Sequence, residues 1–176
     1  MKVILLSGKA RNGKDLTSSI IKQQLESEGY KVFQIAYADY LKDICKRLAG
    51  WDGVEKPREL LQQLGTDIVR EKLHMKNLWV NHVANEIKIA EHLGYTHCLI
   101  TDCRFKNEIH IPKAEFDDCV SVRVERIGFN SELTEPQKQH KSETELDDFS
   151  FDVHIRSIEG IENLRSVVMS KMEMFR

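Results

Sequence analysis

The sequence predicts an α/β protein: one domain built on a parallel β-sheet with helices on both of its faces. Its 176 residues fit one domain of ordinary size. Hydrophobic residues make up 41% of the chain and charged residues 31%, a balance that supports a packed core. Short apolar runs typical of buried strands alternate with segments of helical periodicity, and this alternation indicates strand–helix–strand units.

The predicted elements follow one another without an internal repeat or a low-complexity tract. The predicted strands span residues 2–6, 31–36, 96–101, 119–124 and 151–155. The predicted helices span residues 15–27, 40–48, 57–73, 78–93, 105–116 and 160–174. Pro57 suits a first helical turn, because the N–H that proline lacks would have no partner there. Pro112 is expected to kink or end its helix.

The charge balance argues against several classes of partner. Lys and Arg total 26 against 28 Asp and Glu, a net charge of -2. Proteins that coat nucleic acids or membrane surfaces usually carry a basic excess, so we expect neither kind of partner. No apolar run approaches the roughly 18 residues that span a bilayer, and the N-terminal run is too short for a secretory leader. We therefore expect a cytoplasmic protein, with the oligomeric state open and a homodimer among the options.

The four cysteines form no CxxC pair, so the spacing of a zinc ribbon is absent. They are Cys45, Cys98, Cys103 and Cys119. In a reducing compartment we expect them to be free thiols, several of them within apolar strands.

The clearest motif lies at the first turn of the predicted sheet. Residues 8–14 read GKARNGK and match GxxxxGK, directly after a strand and before a helix. In that context backbone N–H groups and the helix N-terminus converge on a phosphate, and Lys14 brings a positive charge to the terminal phosphates. The alternative is a glycine-rich turn with an exposed lysine.

Asp15 follows this motif where a Ser or Thr hydroxyl commonly binds Mg²⁺. A carboxylate there can still face the metal, directly or through water, because Mg²⁺ prefers oxygen ligands and keeps several waters. Thr17 is a second candidate hydroxyl, less well aimed from its place in the helix.

A second group of functional residue types ends the third predicted strand. Asp102 there can order Mg²⁺ through its water shell, because it follows a strand expected beside the phosphate loop. Arg104 can then reach a transferring phosphoryl group. The alternative is that Asp102 caps the helix expected to start near Phe105.

Basic residues occur at several expected edges of the site. They are Arg11, Lys42, Arg58, Arg70 and Arg126. Each alone is more often a solvated charge. A donor nucleotide and a phosphorylated acceptor together need several of them, because Arg pairs bidentately with phosphate oxygens.

The polar stretch from Asn130 to Ser150 has no clear periodicity and is longer than the usual connection. We interpret it as a lid that excludes water from the reaction, with Lys138, His140 and Lys141 approaching the phosphates on closure. A surface loop without that role is the alternative.

Four blocks together resemble one known family in its order. They are SGKARNGKD (7–15), RELLQQLGTDIVREKLHMKNLWV (58–80), ITDCRFKNEI (100–109) and HKSETELDDFSFDVHI (140–155). On these blocks the chain resembles the phage-type deoxynucleoside monophosphate kinases, within the P-loop kinases. Animal-type phosphomevalonate kinases share the loop, the D-x-R strand end and an acidic SE…LD segment. The LGTD segment followed by a tryptophan favours the nucleotide enzyme.

The resemblance spans essentially the whole chain, residues 1–176. It implies a P-loop kinase domain with a five-stranded parallel sheet in the order 2-3-1-4-5. It also implies a helical acceptor-binding section at about 38–95 and a lid at about 128–150. The implied reaction moves the terminal phosphoryl group of ATP to a (deoxy)nucleoside monophosphate with Mg²⁺, through positioning and charge neutralisation. A phosphomevalonate kinase-like activity is the alternative.

The resemblance also implies roles for individual residues. ATP contacts are expected at Gly8, Arg11, Asn12, Gly13, Lys14, Asp15 and Leu16. Acceptor contacts are expected at Arg11, Asp39, Lys42, Arg58, Gly65, Thr66, Trp79, Asp102 and Arg104. Lys14, Asp102 and Arg104 are the expected catalytic residues, and Asp15 and Asp102 the expected metal ligands. Leu16 departs from the threonine often found there, and Ala10 stands where a basic residue can occur.

Two other classes find less support. A nucleotide-dependent switch would be expected to carry an NKxD or LSGGQ-type motif, and the sequence has neither. A kinase of nucleic-acid ends would need a basic groove, for which the net charge of -2 gives no support.

Overall fold

A computed structural model of the chain describes residues 1–52, 54, 57–129, 131 and 133–176, with only the backbone described at 48–49. Its centre is one sheet of five parallel strands. The strands are β1 (Lys2–Ser7), β2 (Val32–Ile35), β3 (His97–Cys103), β4 (Cys119–Arg126) and β5 (Val153–Ser157). Their order is β2-β3-β1-β4-β5, which confirms the predicted fold class and strand order.

Helices connect the strands and cover the sheet. They are α1 (Lys14–Ser27), α2 (Tyr37–Ala49), α3 (Arg58–Gln62), α4 (Leu78–His92), α5 (Asn107–Glu115), α6 (Glu135–Gln139), α7 (Lys141–Thr144) and α8 (Ile161–Met169). A π-helical segment, Gln63–Lys72, continues α3, and a 3₁₀ turn, Met172–Met174, follows α8. Within the described ranges, no helix has the length and apolar content to cross a membrane.

The core consists of two apolar clusters, one on each face of the sheet. Alternate residues of a strand point to opposite faces. Val3 and Leu5 of β1 therefore pack with buried residues of α2 and α4, whereas Ile4 and Leu6 pack with buried residues of α1 and α8. Covering both faces in this way is the usual arrangement of a parallel sheet.

The predicted single helix over 57–73 is in fact two kinds of helix in sequence. α3 passes into the π-helical segment at Gln63. There the Gly65 carbonyl accepts a hydrogen bond from Trp79 Nε1 at 3.0 Å. A Cβ at Gly65 would lie only 2.6 Å from Leu41 Cδ2, so glycine lets this segment approach α2 closely. π-helical turns are rare and are often found at functional sites.

The start of α2 and the course of α5 both differ from the prediction, and one residue takes part in both differences. α2 begins at Tyr37, three residues before the predicted start. α5 continues through Pro112, where the prediction expected a kink or a stop. Proline cannot donate to the carbonyl four residues earlier, that of Glu108. The Tyr37 hydroxyl donates to that carbonyl instead, at 2.7 Å.

Candidate functional site

A cavity of about 380 Å³ lies beyond the carboxyl ends of β1, β2 and β3, between the phosphate loop, α2 and the π-helical segment. It brings together ten of the residues expected from the sequence. They are Arg11, Lys14, Asp15, Lys42, Arg58, Gly65, Thr66, Trp79, Asp102 and Arg104. Five others do not line this cavity. They are Gly8, Asn12, Gly13, Leu16 and Asp39.

The phosphate loop depends on its two glycines. A Cβ at Gly8 would lie 2.5 Å from the Val124 carbonyl oxygen of the neighbouring strand. Gly13, directly before α1, has a φ of 89°, which favours glycine. The loop therefore follows β1 and turns into α1 as the motif predicts.

Asn12 and Leu16, both expected to contact ATP, lie outside the cavity lining. The Asn12 side chain accepts from the Arg126 backbone N–H at 2.8 Å and donates to the Ala10 carbonyl at 3.2 Å. Asn12 thus ties the phosphate loop to the end of β4. Leu16 is 37% exposed on α1, and the Thr17 hydroxyl is fully buried outside the cavity lining. Thr17 is therefore not the metal-facing hydroxyl that we considered.

Lys14 reaches the cavity from the first turn of α1. Its ammonium group donates to the carbonyl oxygens of Gly8 and Lys9, at 2.8 and 3.0 Å. Burial, together with the nearby charge of Arg104, lowers the pKa of Lys14 to about 7. A bound phosphate would favour the charged form and raise this pKa again.

Asp102 caps a helix, but not the one expected from the sequence. Its two carboxylate oxygens accept the backbone N–H groups of Tyr37 and Ala38, at 2.7 and 3.0 Å. Asp102 therefore caps α2, which is distant in sequence, and not the helix that follows β3. Asp102 is half-buried and lines the cavity, so its remaining lone pairs are available to a hydrated metal.

The turn before α5 is held by Glu108, a residue that the sequence reasoning missed. Its carboxylate accepts the backbone N–H groups of Arg104 and Phe105, at 2.6 and 3.1 Å, and pairs with the buried Arg70. Burial raises the pKa of Glu108 to about 7, although Arg70 acts in the opposite direction. Arg70 thus joins the π-helical segment to α5, whose Glu108 also holds the Arg104 backbone.

Glu143 was also missed, although its segment lies in the last of the four resembling blocks. Its carboxylate pairs with Arg104, accepts from the Ala10 backbone N–H at 3.2 Å and lies 4.0 Å from Arg58. A cluster of cations around a phosphate loop calls for an internal counter-charge. That requirement was the signal in the sequence, but it could not single out one carboxylate among the many in residues 140–155.

The wall of the cavity opposite the phosphate loop carries the residues expected to bind an acceptor. Trp79 and Thr66 are almost fully buried there, whereas Arg58 and Lys42 are half-buried. Asp39 does not face this space. Its carboxylate accepts the Ala36 backbone N–H at 2.9 Å and pairs with Lys42 Nζ at 2.8 Å.

Arg126 also lies outside the cavity lining. It pairs with Glu159 at 2.6 Å and stacks over Phe129, 4.8 Å from the ring centre. Its backbone N–H holds Asn12, so its part in the site is to support the phosphate loop.

The polar stretch interpreted as a lid, 128–150, has two unlike parts. Asn130 and Glu132 lie outside the described residues. α6 is without buried residues, and its Lys138 pairs with Glu135 of the same helix. From residue 140 the chain packs inward, and Leu146 is 3% exposed in the core. Closure of this segment stays a prediction.

Two side chains of the second part face the π-helical segment. Lys141 Nζ lies 2.9 Å from a carboxylate oxygen of Glu71, and His140 Nε2 lies 3.4 Å from one of Asp67. They connect the stretch to the segment that supplies Gly65, Thr66 and Arg70 to the cavity wall.

The oxygen ligands available to a metal suit Mg²⁺. Asp15 and Asp102 line the same cavity, and Asp15 is exposed to solvent. Among the described residues no group of three or more His, Cys, Asp or Glu could hold a metal ion by itself. Two carboxylates fit an ion that keeps several waters and takes further oxygens from substrate phosphates.

Comparisons with known proteins address the fold. No family model matches the chain, and no curated protein matches it. Among solved structures, a mutant of the APS kinase CysC of Mycobacterium tuberculosis is similar with a TM-score of 0.50 and 13% sequence identity. The similarity covers 98% of this chain and 96% of that one. The chain shares the fold of that kinase structure.

Proposed function

We propose that this protein is a kinase that transfers the terminal phosphoryl group of ATP to a deoxynucleoside monophosphate. One observation carries the proposal: the phosphate loop and a second group of cations face each other across a single cavity. The donor group consists of Lys14, Arg104 and the loop amides. The second group includes Arg58 and Lys42, on the acceptor wall.

On the donor side the residues supply charge neutralisation and little covalent chemistry. In phosphoryl transfer an acceptor phosphate oxygen attacks the terminal phosphorus of ATP, and the bond to ADP breaks in line. Lys14 is placed to follow the charge that develops on the transferring group. Arg104 is placed to contact its equatorial oxygens. Positioned charges of this kind account for most of the catalysis in such reactions.

The acceptor side offers surfaces that complement the phosphate and the base of a nucleoside monophosphate. Arg58 and Lys42 supply positive charge, and Arg pairs bidentately with phosphate. Trp79 and Leu61 line the cavity beside them and offer the flat, apolar contact that a nucleobase favours. The resemblance to nucleotide enzymes, carried by the LGTD…W segment, supports the same substrate class.

Mg²⁺ would be held between Asp15, Asp102 and the substrate phosphates, and when bound it neutralises phosphate charge. Asp15 would hold the ion directly or through water, and Asp102 would hold it through its water shell. Residues 140–149 cover the phosphate loop and help to exclude water, which would otherwise attack ATP in place of the acceptor.

The direct test is an ADP-release screen with ATP and Mg²⁺ against all deoxynucleoside and nucleoside monophosphates, phosphomevalonate and APS. We expect at least one deoxynucleoside monophosphate to raise turnover well above the ATPase background. Turnover with phosphomevalonate or APS alone would assign the acceptor to a different substrate class. ADP release that no acceptor stimulates would contradict the proposal.

A further inference from the structure

The Glu143 carboxylate lies where three parts of the site meet. One oxygen accepts the Ala10 backbone N–H of the phosphate loop, at 3.2 Å. The other pairs with Arg104, at the end of β3, and lies 4.0 Å from Arg58, at the start of α3. Glu143 is 8% exposed, so these contacts form in a largely dehydrated place where charge interactions are strong.

The residues around Glu143 fix its position. Leu146, one turn further on, is buried in the core. Lys141 pairs with Glu71 of the π-helical segment at 2.9 Å. Glu145 accepts the Lys106 backbone N–H at 3.0 Å. The Lys9–Asp147 pair, at 2.9 Å, is exposed and adds little. The carboxylate is therefore held between the donor and acceptor walls.

The contacts of Glu143 use one part of the Arg104 guanidinium. Both described hydrogen bonds there, to Glu143 and to the Ser142 carbonyl, use Nη1. The guanidinium has five N–H donors, so Nε and Nη2 remain for phosphate oxygens. Such an arrangement orients Arg104 and still leaves N–H donors for a substrate. At the same time the carboxylate occupies a loop amide and places a negative charge beside the phosphate loop.

We propose that Glu143 is a positioning residue for phosphoryl transfer. It orients Arg104 and Arg58, and it holds the Ala10 amide until the donor phosphates displace it. This inference rests on the proposed kinase function and adds a residue to it. Glu143 should therefore have two opposite effects. It weakens the binding of ATP in the ground state, and it accelerates the transfer step.

The test is Glu143→Gln, which keeps the shape and one acceptor oxygen and removes the charge. The kcat for transfer should fall by about 10- to 100-fold, because Arg104 loses its fixed orientation. The dissociation constant of ATP, measured by calorimetry without acceptor, should fall by about three- to tenfold, because a repelling charge is gone. Damage to the fold alone would instead lower both kcat and the affinity for ATP.

Asp147→Asn is the matched control, since it removes an ion-paired carboxylate from the same segment and does not line the cavity. It should leave kcat and ATP affinity within about twofold of the parent. Thermal melts show whether each variant folds. If Glu143→Gln does not fold, Glu143→Asp takes its place. That variant keeps the charge but withdraws it by one methylene, so kcat should still fall by about threefold or more.

Each outcome has a distinct meaning. A folded Glu143→Gln with the parent's kcat overturns the inference and leaves the kinase function intact. Weaker ATP binding in that variant also overturns it. If the parent itself transfers no phosphoryl group to any acceptor, the kinase function fails, and the ATP dissociation constant still decides the role of Glu143 at the loop: tighter binding supports it and unchanged binding refutes it.

Discussion

The two proposed sides of the cavity, one for the donor and one for the acceptor, are built in different ways. The donor side is a local structure: the end of β1, six loop residues and the start of α1 form the phosphate loop within one stretch of chain. The acceptor side is assembled from distant segments. Asp102 caps α2, Arg70 pairs with Glu108, and Trp79 donates to Gly65.

This difference separates two kinds of contribution to the proposed function. A local loop can lose one charged side chain and keep its fold, because few long-range contacts depend on that group. An assembled wall couples each functional side chain to the position of a helix. Substitutions on the donor side should therefore affect ATP binding and transfer without loss of stability, whereas those on the acceptor side should affect acceptor binding and stability together.

The largest effect is expected for Lys14→Ala. Removing the charge that follows the transferring phosphoryl group should lower kcat by about 100-fold or more, with the fold intact. Lys9→Ala is the matched control, a lysine of the same loop whose side chain pairs with Asp147 outside the main cavity. It should keep kcat within about threefold. An unchanged kcat in a folded Lys14→Ala protein would refute the phosphate-loop assignment.

The next effect concerns Asp102→Asn, which tests a residue that belongs to both sides. Loss of its charge should depress kcat by about 30-fold and raise the Mg²⁺ concentration needed for turnover. One of its two backbone acceptors is lost as well. We therefore expect a cost of about 1–2 kcal/mol in the free energy of unfolding, or about 2–8 °C in the melting temperature.

Asp152→Asn is the control for this cost. Asp152 also accepts from a backbone N–H, that of Ser121 at 2.7 Å, and it lies away from the cavity. Its replacement should lower the melting temperature without changing the Mg²⁺ dependence. If Asp102→Asn loses stability in the same way and keeps normal turnover, Asp102 is a helix cap only.

On the acceptor wall, Trp79→Phe should raise the KM for the monophosphate by about tenfold and leave ATP affinity unchanged. The smaller ring loses contact area and the hydrogen bond to Gly65. Trp51→Phe is a useful control, because Trp51 does not line the cavity. That variant also leaves Trp79 as the single tryptophan, whose fluorescence should change when the monophosphate binds. Equal effects of both substitutions would argue against an acceptor site at Trp79.

The smallest expected effect is the uptake of a proton when ATP binds, which makes the ATP affinity depend on pH. Lys14 has a pKa lowered to about 7, and bound phosphates raise it. Above pH 7 the free protein must therefore gain a proton to bind, so ATP affinity should fall about fivefold between pH 7 and 8. Calorimetry at about pH 8, in two buffers of different ionisation enthalpy, avoids the titration of ATP itself. Lys14→Arg should show no uptake, and uptake that persists there would exclude Lys14 as its source.

The same contrast explains how much could be predicted from the sequence. The strands and the phosphate loop depend on patterns within a few neighbouring residues, and the strand order was implied by the family resemblance. The structure has all three as expected. The early start of α2 depends on Asp102, about sixty residues away along the chain. The helix propensity of the residues around Tyr37 does not indicate that contact.

Glu108 and Glu143 were missed for a related reason. Both are carboxylates in charged segments, and only the fold brings one to the Arg104 backbone and the other to its side chain. The π-helical segment was also read as an ordinary helix, because its apolar spacing over 57–73 fits either form. Its carbonyl contact with Trp79 appears only in three dimensions.

The measurement that tests the central claim most directly follows the terminal phosphoryl group of ATP from donor to product. ATP labelled in its γ-phosphate is mixed with Mg²⁺, the protein and the monophosphate that gives the fastest ADP release. We predict that the label appears in the nucleoside diphosphate, in a one-to-one ratio with ADP, and that Lys14→Ala slows this transfer by about 100-fold or more. Label that appears only in inorganic phosphate would contradict the claim that both substrates occupy one cavity.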